Sequence, residues 1–228
     1  MQLRIASFNI HACIGIDGRF DPARIAAVIR EIDADVLALQ EVEHHLIDEE
    51  DLLDYLARST GYQAVAGPTL MRETRHYGNA LLTRLPIINS QSRDISVSPY
   101  EPRAVIEAQL AAGETTLTVM ATHLGLWPAE RRMQVRQILS LLEQQSTGVT
   151  LLLGDLNEWF LWGRPLRWLH RFFRRSRHIR TFPAYFPLFP LDRIWVAPER
   201  VLLTQHSHRT QLSRKASDHL PLIAIIHI

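Results

Sequence analysis

Only one cysteine occurs in 228 residues, Cys13 in the stretch HACIG. No internal disulfide framework can therefore brace this chain, and Cys13 itself suits a small buried space. Lysine is equally scarce: of 25 basic residues only Lys215 is a lysine, the others being arginines. The formal net charge is +1, so overall charge points to no acidic or basic partner. No apolar run approaches the roughly 18 residues of a membrane-spanning helix, and no charged-then-apolar leader precedes the strand-like LRIASFNI. A soluble, cytoplasmic protein is the expectation. Repeats, low-complexity tracts and dividing linkers are also missing, so one domain over residues 1–228 is expected.

What is present is an ordinary globular composition, 46% apolar and 21% charged, which argues against global disorder. Short β-like runs recur at 3–10, 36–40, 63–66, 79–83, 87–97, 104–110, 116–122, 149–153, 193–196, 201–206 and 220–228, several of them stopping at Gly, Pro, Asn or Asp. Helical patterns interrupt them. One opens at Asp21-Pro22 and puts Ile25, Val28, Ile29 and Ile32 on one face. A second covers about Glu49 to Ser59, and a third runs from Pro128 to about Gln145. Strand and helix alternate early, then consecutive strands follow between Asn79 and Thr122. That order excludes a pure βαβ barrel and favours packed sheets with helices outside.

The run ending at Leu153 is followed by GDLNEW, residues 154–159, which delivers Asp155, Asn157 and Glu158 within four positions. In isolation such a stretch is turn chemistry, since Gly tolerates positive φ and Asp or Asn side chains bond their own backbone. Five other strand boundaries behave the same way. SFNIH carries Asn9 and His11, LQEVE carries Glu41, ATHLG carries His123, LDRIW carries Asp192, and SDHLP carries Ser217, Asp218 and His219. Strand ends hold functional groups rigidly while loops stay free to vary. Carboxylate and amide oxygens suit a hard cation such as Mg²⁺, and imidazole beside carboxylate suits activation of a nucleophile or stabilisation of developing negative charge.

These motifs, with YGNALLTRLPI between them, together resemble the endonuclease/exonuclease/phosphatase superfamily of deoxyribonuclease-I-like and abasic-site-endonuclease-like proteins over essentially the whole chain. The resemblance implies an α/β fold of four layers (α/β/β/α), two mixed β-sheets packed face to face with helices on both outer sides. It also implies a phosphoesterase using Mg²⁺, with Mn²⁺ as the substitute. Glu41 then resembles the principal metal ligand, with Asn9 beside it and Asp218 completing or supporting the site. Asp155 resembles the residue that orients or deprotonates water, and Asn157 the amide that holds a phosphate oxygen. His219 would contact the phosphate with Asp192 fixing its tautomer, and His123 would approach from another side. Arg103 matches a phosphate-facing position, although an ordinary strand-end arginine is the competing reading, and His11 either lines the site or is an exposed loop histidine. Glu158 and Trp159 fit local packing, Ser217 a turn cap, and Tyr77 and Asn79 an architectural motif.

The stretch 159–186 is a separate feature, expected as an insertion. Trp159, Trp162, Trp168, Phe172 and Phe173 interleave with seven arginines from Arg164 to Arg180, and the spacing from Pro165 to Arg177 predicts a helix with an apolar face. Its bland reading is a surface helix with a solvated arginine face. Its functional reading is a substrate-side element, with Arg171, Arg174 and Arg175 gripping nucleic acid or residues 159–180 lying on an anionic membrane surface. A nuclease acting on DNA or RNA is the leading expectation, with a lipid or small-molecule phosphoesterase as the alternative. A silent binding module is a third reading, disfavoured because the full polar set is intact. No obligate protein partner is evident.

Overall fold

Side chains alternate across a strand, so each strand of this chain can serve two layers at once. The computed structural model describes residues 1–44, 46–47, 50–71, 76–144, 148–174 and 177–228, with backbone alone for 44, 46–47, 70–71 and 76. In chain order the elements are β1 (Gln2–Asn9), α1 (Pro22–Ile32), β2 (Val36–His44), β3 (Leu46–Ile47), β4 (Glu50–Asp51), α2 (Leu52–Thr60), β5 (Gln63–Met71), β6 (His76–Thr83), β7 (Ile87–Asp94), β8 (Ala104–Ala112), β9 (Thr115–His123), α3 (Pro128–Glu143), β10 (Val149–Asp155), α4 (Arg164–Phe173), β11 (Asp192–Ala197), β12 (Leu202–Ser207), α5 (Gln211–Ala216) and β13 (Leu222–His227). One sheet has the order β12-β13-β1-β2-β6-β5 and the other β11-β10-β9-β8-β7.

Both sheets are mixed. β1 pairs in parallel with β2, and β9 with β10. A parallel pair needs a crossover rather than a hairpin, and α1 and α3 supply the two crossovers. Asp21 starts α1 by accepting the Arg24 N–H at 2.9 Å, with Pro22 in the first turn, and Asp33 ends it in the left-handed region.

The inner faces meet in one apolar cluster, with Leu3 and Ile5 of β1 and Val36 and Ala38 of β2 against Val119 and Ala121 of β9, Leu151 and Leu153 of β10 and Ile194 of β11. Phe8 on the opposite face of β1 packs with Ile25 and Ile29 of α1 and Leu56 of α2. Leu152 on the opposite face of β10 packs with Ile138 of α3 and Leu166 and Leu169 of α4. The result is the expected four-layer α/β/β/α sandwich. Each fully buried Leu, Ile or Phe contributes about 1.5–3 kcal/mol, so three apolar clusters hold the layers together without a cross-link.

All eleven expected strands form. The second helix begins at Leu52, capped by Asp51, and Glu49 lies outside the described residues, as does Gln145 at the end of the third. The helix expected over 165–177 stops at Phe173, where Arg174 takes a φ of 61°. The short α5 has no periodicity to announce it; reciprocal bonds between Thr210 and Ser213 at 2.9 and 3.0 Å start it.

Gly154 corrects the turn reading of GDLNEW. It lies inside β10, with a φ of 146° and a built Cβ position 1.8 Å from the Thr122 carbonyl oxygen of β9. Glycine is needed there for backbone contact between neighbouring strands. Gly154→Ala is expected to cost about 3 kcal/mol, lowering Tm by about 6–12 °C. Gly113→Ala, at a φ of 64° with open space around it, is expected to cost only about 1 kcal/mol. Thermal unfolding of the two variants side by side checks the contrast.

Candidate active site

The polar set lies on the inner faces, just past the apolar cluster. Two residues beyond Leu153 on β10 stands Asp155, two beyond Ala121 on β9 stands His123, and two before Ile194 on β11 stands Asp192. Asp155 is in register with His123 on one side and with Asp192 on the other. On the facing sheet, Asn9 follows Leu3 and Ile5 along the inward face of β1. Its amide Nδ2 donates across the gap between the sheets to Asp155 Oδ2 at 3.2 Å and to Glu41 Oε1 at 2.8 Å. Alternation alone would send Glu41 away from this gap. A bulge between Leu39 and Val42 and a φ of 57° at Glu41 turn it inward, the kind of local distortion that re-aims a side chain at a site.

The chain after GDLN is tightly held. Asp155 Oδ1 accepts the Asn157 N–H at 2.9 Å, with Asn157 at a φ of 50°. Asn157 Nδ2 donates to the Leu124 carbonyl at 3.0 Å and faces His123 Nε2 at 3.0 Å. Since an amide NH₂ can only donate, His123 Nε2 accepts and the ring is neutral. From the other side, His219 Nδ1 and Asp192 Oδ2 lie 2.8 Å apart, and the Thr181 hydroxyl donates to the same oxygen at 2.5 Å. His219 Nε2 and His123 Nε2 each stand 3.6 Å from Asp155 Oδ2. Ser217, more than a turn cap, donates to the Asn9 carbonyl at 2.7 Å and accepts the His219 N–H at 3.2 Å, tying the last loop to β1.

The two histidines are driven in opposite directions. Burial takes the His123 imidazole down to about 3, with Asp155 only partly opposing it. Burial would lower His219 as well, but Asp192 and then Asp155 outweigh it and hold the ring at about 10. Burial, reinforced by Asp192, pushes the Asp155 carboxyl above the usual range against the pull of His219. A cationic imidazole, a neutral imidazole and a carboxylate made more basic by burial therefore share one site.

These groups open into a cleft of about 280 Å³ lined also by Glu41, Asp218 and Arg103. Arg103 is buried and pairs with Glu101 at 3.1 Å, while its Nε has no partner. His11 sits at the rim, with Nδ1 3.0 Å from the Ile14 carbonyl oxygen and 4.0 Å from Asp218. Three further lining residues lie outside the expected catalytic set: Tyr77 reads as architectural, Trp159 as packing or as part of the 159–186 substrate-side element, and Phe182 falls within that same stretch. Tyr77 turns its phenol to Glu41, and burial followed by that carboxylate raises its pKa. Trp159 forms one wall, and the Phe182 ring lies 4.8 Å from that of His219. The TFPAYFPL stretch, aromatic and proline-rich between two site motifs, is the available signal for Phe182.

Arg171 and Arg174 are not in this cleft. The apolar face of α4 packs on α3 and β11, which turns its arginines outward. Arg171 borders a larger hollow of about 490 Å³ with Arg136 and Trp168, and that hollow contains none of the polar strand ends. Arg174 lies with Ala197 and Pro198, past the end of β11 opposite Asp192. Arg175 lies outside the described residues. Glu158 is buried against Arg131 at 3.4 Å, and Arg131 also donates to the Leu126 carbonyl at 2.6 Å, so this pair fastens two cleft loops together.

Two groupings could hold a divalent ion. Asp155, Asp192 and His219 offer atoms within 4.8 Å of one another, but a proton already joins His219 to Asp192, and a cationic ring there opposes a second cation. Glu41 and Asp218 fit better. Both are half-buried oxygen donors on the cleft, and among the described residues neither is paired with an Arg or Lys. Asn9 supports this pair from behind, because its Nδ2 holds Glu41 and its Oδ1 accepts the His11 N–H at 3.0 Å.

Fold and site together define a phosphoesterase type of architecture, a sandwich with carboxylates and imidazoles at one end of its inner faces. The chain belongs to the endonuclease/exonuclease/phosphatase family, whose model matches residues 6–219. It is 32% identical over 252 aligned positions to the uncharacterized protein YbhP of Escherichia coli K12, covering 100% of this chain and 97% of that one. An endonuclease/exonuclease/phosphatase from Beutenbergia cavernae superposes with a TM-score of 0.81 at 22% identity, covering 100% of this chain and 72% of that one. A mannosyl-6-phosphatase of Bacteroides thetaiotaomicron superposes with a TM-score of 0.78 at 16% identity, covering 99% and 100%. At those identities the two structures show likeness of fold.

The split between the histidines is measurable. His219, raised above its unfolded value, adds stability that is complete below the ordinary histidine range and is lost as pH climbs through about 10. His123, lowered, adds stability at neutral pH that is lost as pH falls toward about 3. In EDTA-treated protein, ¹⁵N chemical shifts should show both His219 ring nitrogens protonated at pH 8 and His123 neutral at pH 5. Asp192→Asn should return His219 to the neutral form at pH 8; an unchanged His219 in that variant would contradict the assignment.

Proposed function

We propose that this protein is a divalent-metal-dependent phosphoester hydrolase in which water attacks phosphorus beside Asp155. The observation that carries this reading is the convergence on Asp155 Oδ2 of groups from both sheets: the Asn9 amide at 3.2 Å and two imidazoles at 3.6 Å. Spaces slightly longer than a hydrogen bond leave room for an oxygen of water or phosphate to be shared between neighbours.

Asp155, with its basicity increased by burial, accepts a proton from the attacking water as the new P–O bond forms; the P–O bond to the departing alcohol breaks, and that oxygen takes up a proton from solvent. The His219 imidazolium, held in orientation by Asp192, donates a hydrogen bond to a phosphoryl oxygen and offsets the charge that builds there. Asn157 fixes His123 on the other side, and the Arg103 guanidinium lines the cleft as a further cation. Glu41 and Asp218 would hold the ion, whose contribution when bound is charge neutralisation and orientation of the phosphoryl group. The likeness in fold to a mannosyl-6-phosphatase agrees with phosphoester chemistry.

As for substrate, the nucleic-acid reading draws on arginines gripping a backbone beside the site. With Arg171 and Arg174 on the outer helical layer, that support falls away. Leu126, Trp159, Phe182 and Leu191 supply an aromatic and aliphatic part of the cleft lining.

With Mg²⁺ or Mn²⁺ the protein is expected to hydrolyse bis-p-nitrophenyl phosphate, and EDTA should abolish the activity. Asp155→Asn and His219→Ala should each lower kcat by roughly 10³-fold while circular dichroism stays unchanged. Activity indifferent to EDTA or to both substitutions would refute the assignment.

A further inference from the structure

Three loops that contribute Leu126, Trp159, Phe182 and Leu191 to the cleft lining also carry large exposed apolar side chains. Trp162 is 72% exposed, Tyr185 75%, Phe186 65%, Leu126 64% and Trp127 61%. They come from three loops, 124–127, 159–163 and 182–191, and exposed apolar patches of such extent mark interaction sites. The patch is continuous with the candidate site. Trp159 packs edge-on against Phe182 and Phe189, with centroids 5.8 and 4.9 Å away, and Phe182 rests on His219.

Charge distinguishes the occupants this rim could take. From Trp159 to Leu191 the chain carries seven arginines and no Asp or Glu; Arg171 and Arg174 belong to the outer helical layer, and Glu101, paired with Arg103, is an exposed acid beside Leu126. The carboxylate just before this stretch, Glu158, is buried against Arg131. Arg164 and Arg167 are exposed in the first turn of α4, directly after Trp162, and Arg180 is exposed just before the 182–191 loop. Apolar loop tips flanked by cations match an anionic lipid surface, where rings settle among headgroups and acyl chains while arginines meet phosphates. Single-stranded nucleic acid would instead need flat ring faces presented in succession along a cationic groove. Here three ring pairs meet at 84°, 62° and 45° with leucines between them, and one pair, Tyr100 and Trp127, lies at 29°, so no succession of flat faces is presented.

We propose that this rim docks the protein on an anionic phospholipid bilayer and brings the cleft to the headgroup phosphoesters of that surface. The docking stands on the rim itself, and the substrate class rests on the phosphoesterase reading above.

The test is sedimentation of the full chain with phosphatidylglycerol/phosphatidylcholine vesicles and with phosphatidylcholine vesicles alone. Binding is expected to the anionic vesicles, weakening with salt. Trp162→Ser with Phe186→Ser, two exposed side chains outside the cleft lining, should lower vesicle partitioning by about tenfold or more and leave bis-p-nitrophenyl phosphate hydrolysis unchanged. Arg164→Glu with Arg167→Glu should remove the preference for anionic vesicles. Unchanged partitioning in the aromatic double variant overturns the docking surface. So does tight binding to oligo(dT) without vesicle binding, or a dimer in solution that the double variant dissociates. Vesicle binding without hydrolysis of any phosphoester would sink the catalytic reading and leave docking intact. Hydrolysis of the soluble ester but not of vesicle-borne phospholipid would overturn the substrate class alone.

Discussion

Two sheets packed face to face share an inner surface that is apolar only as far as the sheets can bury it. Here the period-2 alternation of β1, β9, β10 and β11 continues past the apolar core, and the inward positions at that end are Asn9, His123, Asp155 and Asp192. The strands that fill the core with Leu, Ile and Val thus also deliver the polar groups, at distances fixed by register rather than by loop conformation. The Asn9 amide links the sheets at the seam, bonding Asp155 on one and Glu41 on the other.

Electrostatics follows from that placement. Buried carboxylates are costly unless paired, and His219 serves both Asp192 and Asp155, which is why its ring stays charged while His123, bonded to Asn157, does not. Loops without regular structure are fixed in turn by buried ion pairs: Arg131 binds Glu158 and the Leu126 carbonyl, setting the cleft walls on which the exposed rings stand. A polar floor and an apolar, cation-flanked rim therefore arise from different parts of the chain.

Much of this is legible in the sequence. Packed sheets with helices outside are legible in the order of strands and helices, the four layers in the family resemblance, and His123, Asp155, Asp192 and His219 stand out because polar residues recur at strand ends. Glu41 is marked by its motif, yet its inward aim depends on a bulge that no periodicity reports. Asn9 is expected at the metal site beside Glu41, and its amide bonds the Glu41 carboxylate while its oxygen accepts the His11 N–H. The amphipathic spacing of α4 is plain, whereas the end of β11 that the helix terminus reaches depends on how the chain crosses the second sheet. Arg171 and Arg174 are therefore expected at the site and lie elsewhere. Tyr77 reads as architectural, and Trp159 and Phe182 only as members of the 159–186 stretch, because a residue that lines a cleft carries the same local signal as one that packs.

The central claim is a division of labour, with Glu41 and Asp218 for the cation and Asp155, His219 and Asp192 for protons and phosphate. A crystal structure of the protein soaked with Mn²⁺ and inorganic phosphate, with the metal located by anomalous scattering, tests it most directly. The expected result is a manganese peak between Glu41 and Asp218 and a phosphate touching His219. A peak bound by Asp155, Asp192 and His219, with the His219–Asp192 bond broken, would contradict it.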